Sequence, residues 1–246
     1  MVNSWEKVSV DNSQMGLYLS QPDGPGRVPA IIVIQNKYGV KEFTQEMTRR
    51  VAEAGYVGVA PRLYHRTGEP ANEEEIERLR PARSDTHIIS DLNGTIDFLK
   101  GCAKADTSRL GIVGFCMGGR VAFLAGVSMT AFSAAVDYYG GGIYSKWGKD
   151  RPAPSELAGN LSCPLQGHFG MLDTSPSPEE MQRLDAELTR LGKSHDFFFY
   201  DNAPHSFNNS AMKKYCPEAD KISWQRTLEF FAKHLASATP KRAAAG

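Results

Sequence analysis

Three side chains in this sequence have the types and order needed for covalent acyl chemistry: Cys116, Asp173 and His205. Cys116 lies in Gly114-Phe-Cys-Met-Gly118, followed by Gly119. An apolar β-branched run precedes this pentapeptide and a helix-compatible run from Arg120 follows it. G-x-[S/C]-x-G between a strand and a helix describes a sharp turn that holds a nucleophile in a strained backbone. Side chains two residues before and two after the nucleophile would clash there, which explains the glycines. The following helix aims its free N–H groups and positive dipole end at the sulfur, favouring thiolate and a nearby oxyanion. A thiol needs a base to carry its proton, and the base needs an acceptor to fix its tautomer. His205, in Pro204-His-Ser206, and Asp173, in Gly170-Met-Leu-Asp173, have the types for those roles.

The elements that must position these groups are legible as alternating strands and helices. Residues 5–20 suggest an antiparallel hairpin, and a Pro/Gly-rich loop leads from it to the continuous apolar run Ala30–Ile34. Helices are expected over 41–54, 85–100 and 178–191, with a last amphipathic helix carrying Trp224, Leu228, Phe231 and Leu235. Further strands are expected at 56–60, 110–115, 134–139, 164–169 and 196–200, and residues 145–162 read as a Pro/Ser/Gly-rich crossing. The run Glu73-Glu-Glu75 lies in the long excursion after Pro61 and reads as a solvated helix face. The pattern implies an α/β class with a mostly parallel central sheet, helices on both faces and the hairpin at its N-terminal edge. Sites in such sheets lie beyond the carboxyl ends of the strands. Asn36, Cys116, Asp173 and His205 all fall just after strand ends, and His168 is expected near them because its strand leads to Asp173.

The totals narrow the function. The chain has 246 residues with 28 basic and 28 acidic side chains, so it offers no electrostatic case for nucleic acid or an anionic membrane surface. No apolar run approaches a spanning helix, and the N-terminus has no secretory signal, so a soluble cytoplasmic protein is expected. A single domain over 1–238 with a disordered tail at 239–246 is expected, as a monomer or homodimer. Cys102, Cys116, Cys163 and Cys216 contain no C-x-x-C pair and are expected as free thiols. No His/Asp/Glu cluster has metal-ligand spacing, and no nucleotide-binding motif is present, so neither metal nor cofactor is expected.

The order nucleophile–acid–histidine is that of the α/β-hydrolases. The chain resembles one family among them, the dienelactone hydrolases, over nearly its whole length. The resemblance rests on Val33-Ile-Gln-Asn36-Lys-Tyr-Gly-Val40, Gly55-Tyr56, Pro61-Arg-Leu-Tyr64 and Gly114-Phe-Cys116-Met-Gly-Gly119. It extends through Tyr138-Tyr-Gly140, Gly170-Met-Leu-Asp173, His205-Ser-Phe207 and Arg226-Thr-Leu-Glu-Phe230. It implies an α/β-hydrolase fold and opening of an enol lactone through an acyl-cysteine, with Cys116 as nucleophile, His205 as base and Asp173 orienting it. The backbone N–H groups of Met117 and Lys37 would hold the oxyanion. Asn36, Tyr38, Tyr64, Arg80, Tyr138, Phe207 and Asn209 are expected around the substrate, Tyr139 being a further candidate.

Two departures from the family pattern bear on mechanism. Asn36 stands where the family's loop carries a glutamate, so Cys116 is expected to rely on His205 alone and to rest as a thiolate–imidazolium pair. Asn208-Asn209 stands near the place of a carboxylate-binding arginine, and the other arginine could be Arg78, Arg80 or Arg83. A bulkier or less charged lactone or ester is therefore expected. Two other uses of the same residues remain open: cleavage or transfer at another bond, and a non-catalytic binder or oxidant sensor acting through Cys116.

Overall fold

The computed structural model describes residues 1–236. The end of the proposed domain at 238 and the tail 239–246 lie outside the described residues. The chain begins with β1 (Val2–Val10) and β2 (Ser13–Gln21), paired antiparallel. Asp11 and Asn12 join them with φ of +47° and +60°, a two-residue turn whose twist suits a hairpin. Strands and helices then alternate: β3 (Val28–Ile34), α1 (Glu42–Glu53), β4 (Val57–Pro61), α2 (Glu73–Leu79) and α3 (Asp85–Gly101). β5 (Ala105–Phe115), α4 (Met117–Ser128), β6 (Ala134–Tyr138), β7 (Leu165–Gly170), α5 (Pro178–Arg190), β8 (His195–Tyr200) and α6 (Pro217–His234) complete the order.

The eight strands form one sheet in the order β1-β2-β4-β3-β5-β6-β7-β8. The hairpin joins it antiparallel through β2 and β4, and every pairing from β4 to β8 is parallel. Successive strand residues point to opposite faces, so β3 supplies both cores. Ile32 and Ile34 pack with Leu92 of α3, Val121 and Leu124 of α4, and Leu184 of α5 on one face. Ile31 and Val33 pack with Met47 and Val51 of α1 and Phe230 and Phe231 of α6 on the other. A strand covered on both faces has no polar side, which is why Ala30–Ile34 is apolar throughout. Helix α4 is buried from Met117 to Val127, and Arg120 is its only charged residue. No helix among the described residues is long and apolar enough to cross a membrane.

Candidate active site

Cys116 occupies the turn between β5 and α4 with φ +58° and ψ −117°, a region that non-glycine residues rarely adopt. Its N–H donates to the Tyr138 carbonyl at 2.9 Å, and its carbonyl accepts from the Gly119 N–H at 3.0 Å. The flanking glycines are dictated by close backbone approach. A Cβ on Gly114 would lie 1.8 Å from the Gly118 carbonyl oxygen, and one on Gly118 would lie 2.5 Å from that of Ile34. Such contacts are impossible, so the turn exists only because both residues lack a side chain.

Asp173 follows β7 in a turn whose N–H donates to the Gly170 carbonyl at 3.1 Å. Both its carboxylate oxygens are engaged: Oδ1 accepts the Ser175 N–H at 2.9 Å, and Oδ2 faces His205 Nδ1 at 2.7 Å. With Nδ1 held there, Nε2 of His205 is the nitrogen left for the Cys116 thiol, and the two groups shift each other's ionisation. The imidazole also packs edge-on against Tyr139, ring centroids 4.9 Å apart.

Burial opposes ionisation of the Cys116 thiol. The hydrogen bond and charge of His205, the Met117 backbone N–H and the Lys37 ammonium outweigh it and hold the thiol below its ordinary range. Burial likewise disfavours the imidazolium of His205, but the hydrogen bonds to Asp173 and Cys116 prevail and raise it to about 9. The contrast with Cys163 isolates the cause: burial without such partners pushes that thiol up to about 12. All four cysteines are free.

The three groups open onto a cleft of about 650 Å³. Lys37, Arg80, Arg83 and Lys146 contribute to its walls, together with Met117, Gly142, Ser145 and Trp147. Lys37 pairs with Glu73 at 2.7 Å and Arg80 with Glu77 at 2.7 Å, whereas Arg83 lies over the Trp147 ring at 5.2 Å. Among the described residues, no group of three or more His, Cys, Asp or Glu side chains could hold a metal ion.

Several expected substrate contacts are relocated by the structure. Tyr138 is fully buried; its side chain falls on the α6 side of the sheet, where its hydroxyl meets Thr227 at 2.8 Å. Phe207 is fully buried between Tyr138, Tyr139 and Tyr200, and Tyr139 is buried with its hydroxyl on Asn208. Asn209 does not line the cleft; its Oδ1 accepts the Ala211 N–H at 3.1 Å, closing a local turn. Asn36 is spent similarly: its Oδ1 accepts the Tyr38 N–H at 2.9 Å, and its side chain is not in the cleft wall. The Tyr38 hydroxyl turns away to Glu73, at 2.6 Å. Glu73 is thus more than part of a solvated face, because it ties α2 to the loop after β3 through both Tyr38 and Lys37. Tyr64 lies beside the cleft, donating to the Lys37 carbonyl at 2.9 Å and touching Met117 Sδ at 3.4 Å. Only Arg80 of the expected side-chain contacts lines the cleft itself, together with Arg83. His168 is in the core, bonded to Tyr200, Gln166 and Thr227, and burial depresses its pKa to about 3.

Sequence reasoning missed Arg120 and Trp147. The Arg120 guanidinium, four residues after the cysteine, is bidentate to Asp85 at 2.6 and 3.0 Å and lies 3.7 Å from the Trp147 ring centroid. A lone arginine in an otherwise apolar helix was the available signal, since a buried guanidinium requires a partner.

A parallel sheet with a nucleophile elbow at its centre, and an acid and a histidine beyond neighbouring strands, is the frame of the α/β-hydrolases. The family model of the dienelactone hydrolases matches residues 15–235, and this chain belongs to that family of hydrolases. A protein from Methylorubrum extorquens described as "Putative carboxymethylenebutenolidase" is 31% identical over 232 residues, covering 93% of this chain and 80% of that one. A Bradyrhizobium protein described as "Probable 2-oxo-3-(5-oxofuran-2-ylidene)propanoate lactonase" is 26% identical, covering 94% of each chain. The crystal structure of a "Putative Dienelactone Hydrolase" from Klebsiella pneumoniae superposes with a TM-score of 0.85 at 27% identity, covering 95% of this chain and all of that one.

Proposed function

We propose that this protein opens a small carboxylate-bearing lactone, or cleaves a comparable activated ester, through an acyl-cysteine on Cys116. The observation that carries this reading is the Asp173–His205 bond of 2.7 Å beside Cys116 at the elbow, with the thiol lowered and the imidazole raised. The resting pair is a thiolate and an imidazolium. Asn36 supports it, because no carboxylate occupies that position to exchange a proton with the sulfur.

The thiolate attacks the lactone carbonyl carbon, and the carbonyl electron pair moves onto oxygen. The N–H groups of Met117 and Lys37 receive that oxyanion. Collapse restores the carbonyl and breaks the ring C–O bond, and the imidazolium gives its proton to the departing oxygen. Neutral His205 then takes a proton from water, whose oxygen attacks the thioester. A second collapse releases the carboxylic acid, which ionises in solution, and returns the thiolate to the imidazolium. An enolate leaves readily, whereas an unprotonated amine does not, which favours lactones and activated esters over amides.

Arg80 and Arg83 in the cleft wall, with the ammonium groups of Lys37 and Lys146, support an anionic substrate. This differs from the less charged substrate anticipated from Asn208-Asn209. The names of the relatives, one of which denotes a lactone carrying a propanoate, agree with the same class.

The test is mass spectrometry of the intact protein after brief mixing with a panel of enol lactones and aryl esters. A transient acyl adduct is expected on the wild type, none on Cys116→Ala, and a much slower one on His205→Ala. An adduct of the same mass on Cys116→Ala would refute the assignment.

A further inference from the structure

Asp137 is the one charged residue of β6. Val136 and Tyr138 belong to the core on the α6 side, and Ala135 to the opposite core. Strand alternation therefore turns Asp137 to the face that α4 covers, where it is fully buried. A buried carboxyl must find donors. Its Oδ1 accepts the Gly140 N–H at 2.7 Å. The same oxygen is wedged against the start of α4: a Cβ on Gly119 would lie 2.1 Å from it, and one on Gly140 would lie 2.4 Å from it. A Cβ on Gly140 would also fall 2.4 Å from the Arg120 backbone nitrogen, so the turn after β6 rests backbone to backbone on the first turn of α4.

The two residues enclosed by the Asp137–Gly140 bond both touch the site. The Tyr138 carbonyl accepts the Cys116 N–H at 2.9 Å. Tyr139 has φ +43°, its N–H donates to the His168 carbonyl at 2.9 Å, and its ring lies edge-on to His205. We infer that Asp137 is a positioning residue: by holding the Gly140 N–H it fixes the turn that sets Cys116 and His205 relative to each other. The inference rests on the acyl-cysteine reading above. Without that bond Tyr139 can leave its left-handed backbone for a commoner one. Its ring then withdraws from His205, and the Tyr138 carbonyl turns away from the elbow. Burial raises the Asp137 carboxyl to about 7 against the pull of the Gly140 N–H. At pH 6 an asparagine therefore copies both its neutral form and its acceptor oxygen.

The experiment compares wild type with Asp137→Val, Asp137→Ala and Asp137→Asn at pH 6, each shown to be folded by cooperative urea unfolding. It reads kcat and KM for p-nitrophenyl acetate, and the rate at which iodoacetamide alkylates Cys116. Valine keeps most of the volume, alanine is the smaller alternative, and neither accepts a hydrogen bond. The net worth of one hydrogen bond corresponds to about tenfold in rate. In the valine and alanine variants kcat and the alkylation rate are therefore each expected to fall about tenfold, with KM within about twofold of wild type. Asp137→Asn is expected to restore both rates to within about threefold. A folded valine or alanine variant with wild-type kcat and alkylation has lost only stability and overturns the positioning role. An asparagine variant as impaired as the valine one overturns it too, as does failure of both apolar variants to fold. Undiminished turnover in Cys116→Ala, or none in wild type with any ester, overturns the acyl-cysteine reading instead, and the alkylation rates still test the turn.

Discussion

Replacing Arg120 with methionine should be among the most damaging single changes outside the proposed reacting groups, and the structure shows why. The guanidinium and the Asp85 carboxylate are both fully buried and meet in two bonds of 2.6 and 3.0 Å. Arg120 also donates to the carbonyls of Gly142 at 3.0 Å and Ser145 at 2.7 Å, and the Trp147 ring covers it. Methionine fills most of the volume but strands a buried carboxylate and removes the donors from two carbonyls. Breaking one side of a buried pair costs about 3–5 kcal/mol. For a domain of this size that corresponds to a fall in Tm of roughly 6–20 °C. Urea unfolding at equilibrium, with the slope compared between variants, measures it directly. Removing both charges in Arg120→Met/Asp85→Leu should recover a large part of the loss, because no ion is left without its partner. A single variant within about 1 kcal/mol of wild type, or a double variant as unstable as the sum of its parts, would refute this account of the pair. At temperatures where Arg120→Met is folded, KM should rise more than kcat falls. The carbonyls it releases belong to the loop that carries Ser145, Lys146 and Trp147 into the cleft wall.

Three further outcomes are expected. Iodoacetamide should label Cys116 rapidly at pH 6, where an ordinary thiol is only about 0.3% thiolate. If the ion pair proposed above is the resting state, the rate should stay level through neutrality, since the imidazolium beside the sulfur keeps its proton until about pH 9; sluggish labelling at pH 6, or equal labelling of His205→Ala, counts against the ion pair. Tyr64→Phe removes the donor to the Lys37 carbonyl and should lower kcat about tenfold with little change in KM, an unaltered kcat sinking the positioning role. Arg83→Leu should raise KM about tenfold or more for a lactone bearing a carboxylate and less than twofold for a neutral aryl ester, and equal effects on the two would exclude carboxylate recognition by Arg83.

How much was legible in advance follows from the range of each constraint. The elbow could be read because its requirements are local: Gly114 and Gly118 are imposed by contacts within one turn and with the end of the adjacent strand. Asp173 and His205 could be proposed because a parallel sheet delivers its strand ends to one edge. Tyr138 and Phe207 were misassigned for the opposite reason. Phe207 lies two residues after His205 but fills the core, and Tyr138 ends a strand whose alternation turns its ring toward α6. Glu73 gave no local sign of its partners, since Lys37 and Tyr38 are 36 and 35 residues away. Arg120 and Asp85, 35 residues apart, lie on separate helices and meet only through packing.

These differences divide the site into two parts with different physical origins. The proposed reacting groups follow β5 and lie in the turns after β7 and β8, strands paired through the middle and far side of one sheet. Their relative positions are set by ladder hydrogen bonds and two-sided burial, which tolerate little displacement. The recognition wall instead comes from Lys37 after β3, from Arg80, Pro81 and Arg83 between α2 and α3, and from the loop carrying Trp147. It is fastened by side chains: Glu73 to Lys37 and Tyr38, and Arg120 to Asp85 and the loop carbonyls. Glu73 is exposed, so its bonds contribute little stability, whereas the Arg120 pair is buried and stiff. Substitutions on the α2 side should accordingly alter which substrate enters with small effects on folding, while the elbow side should lose stability and turnover together.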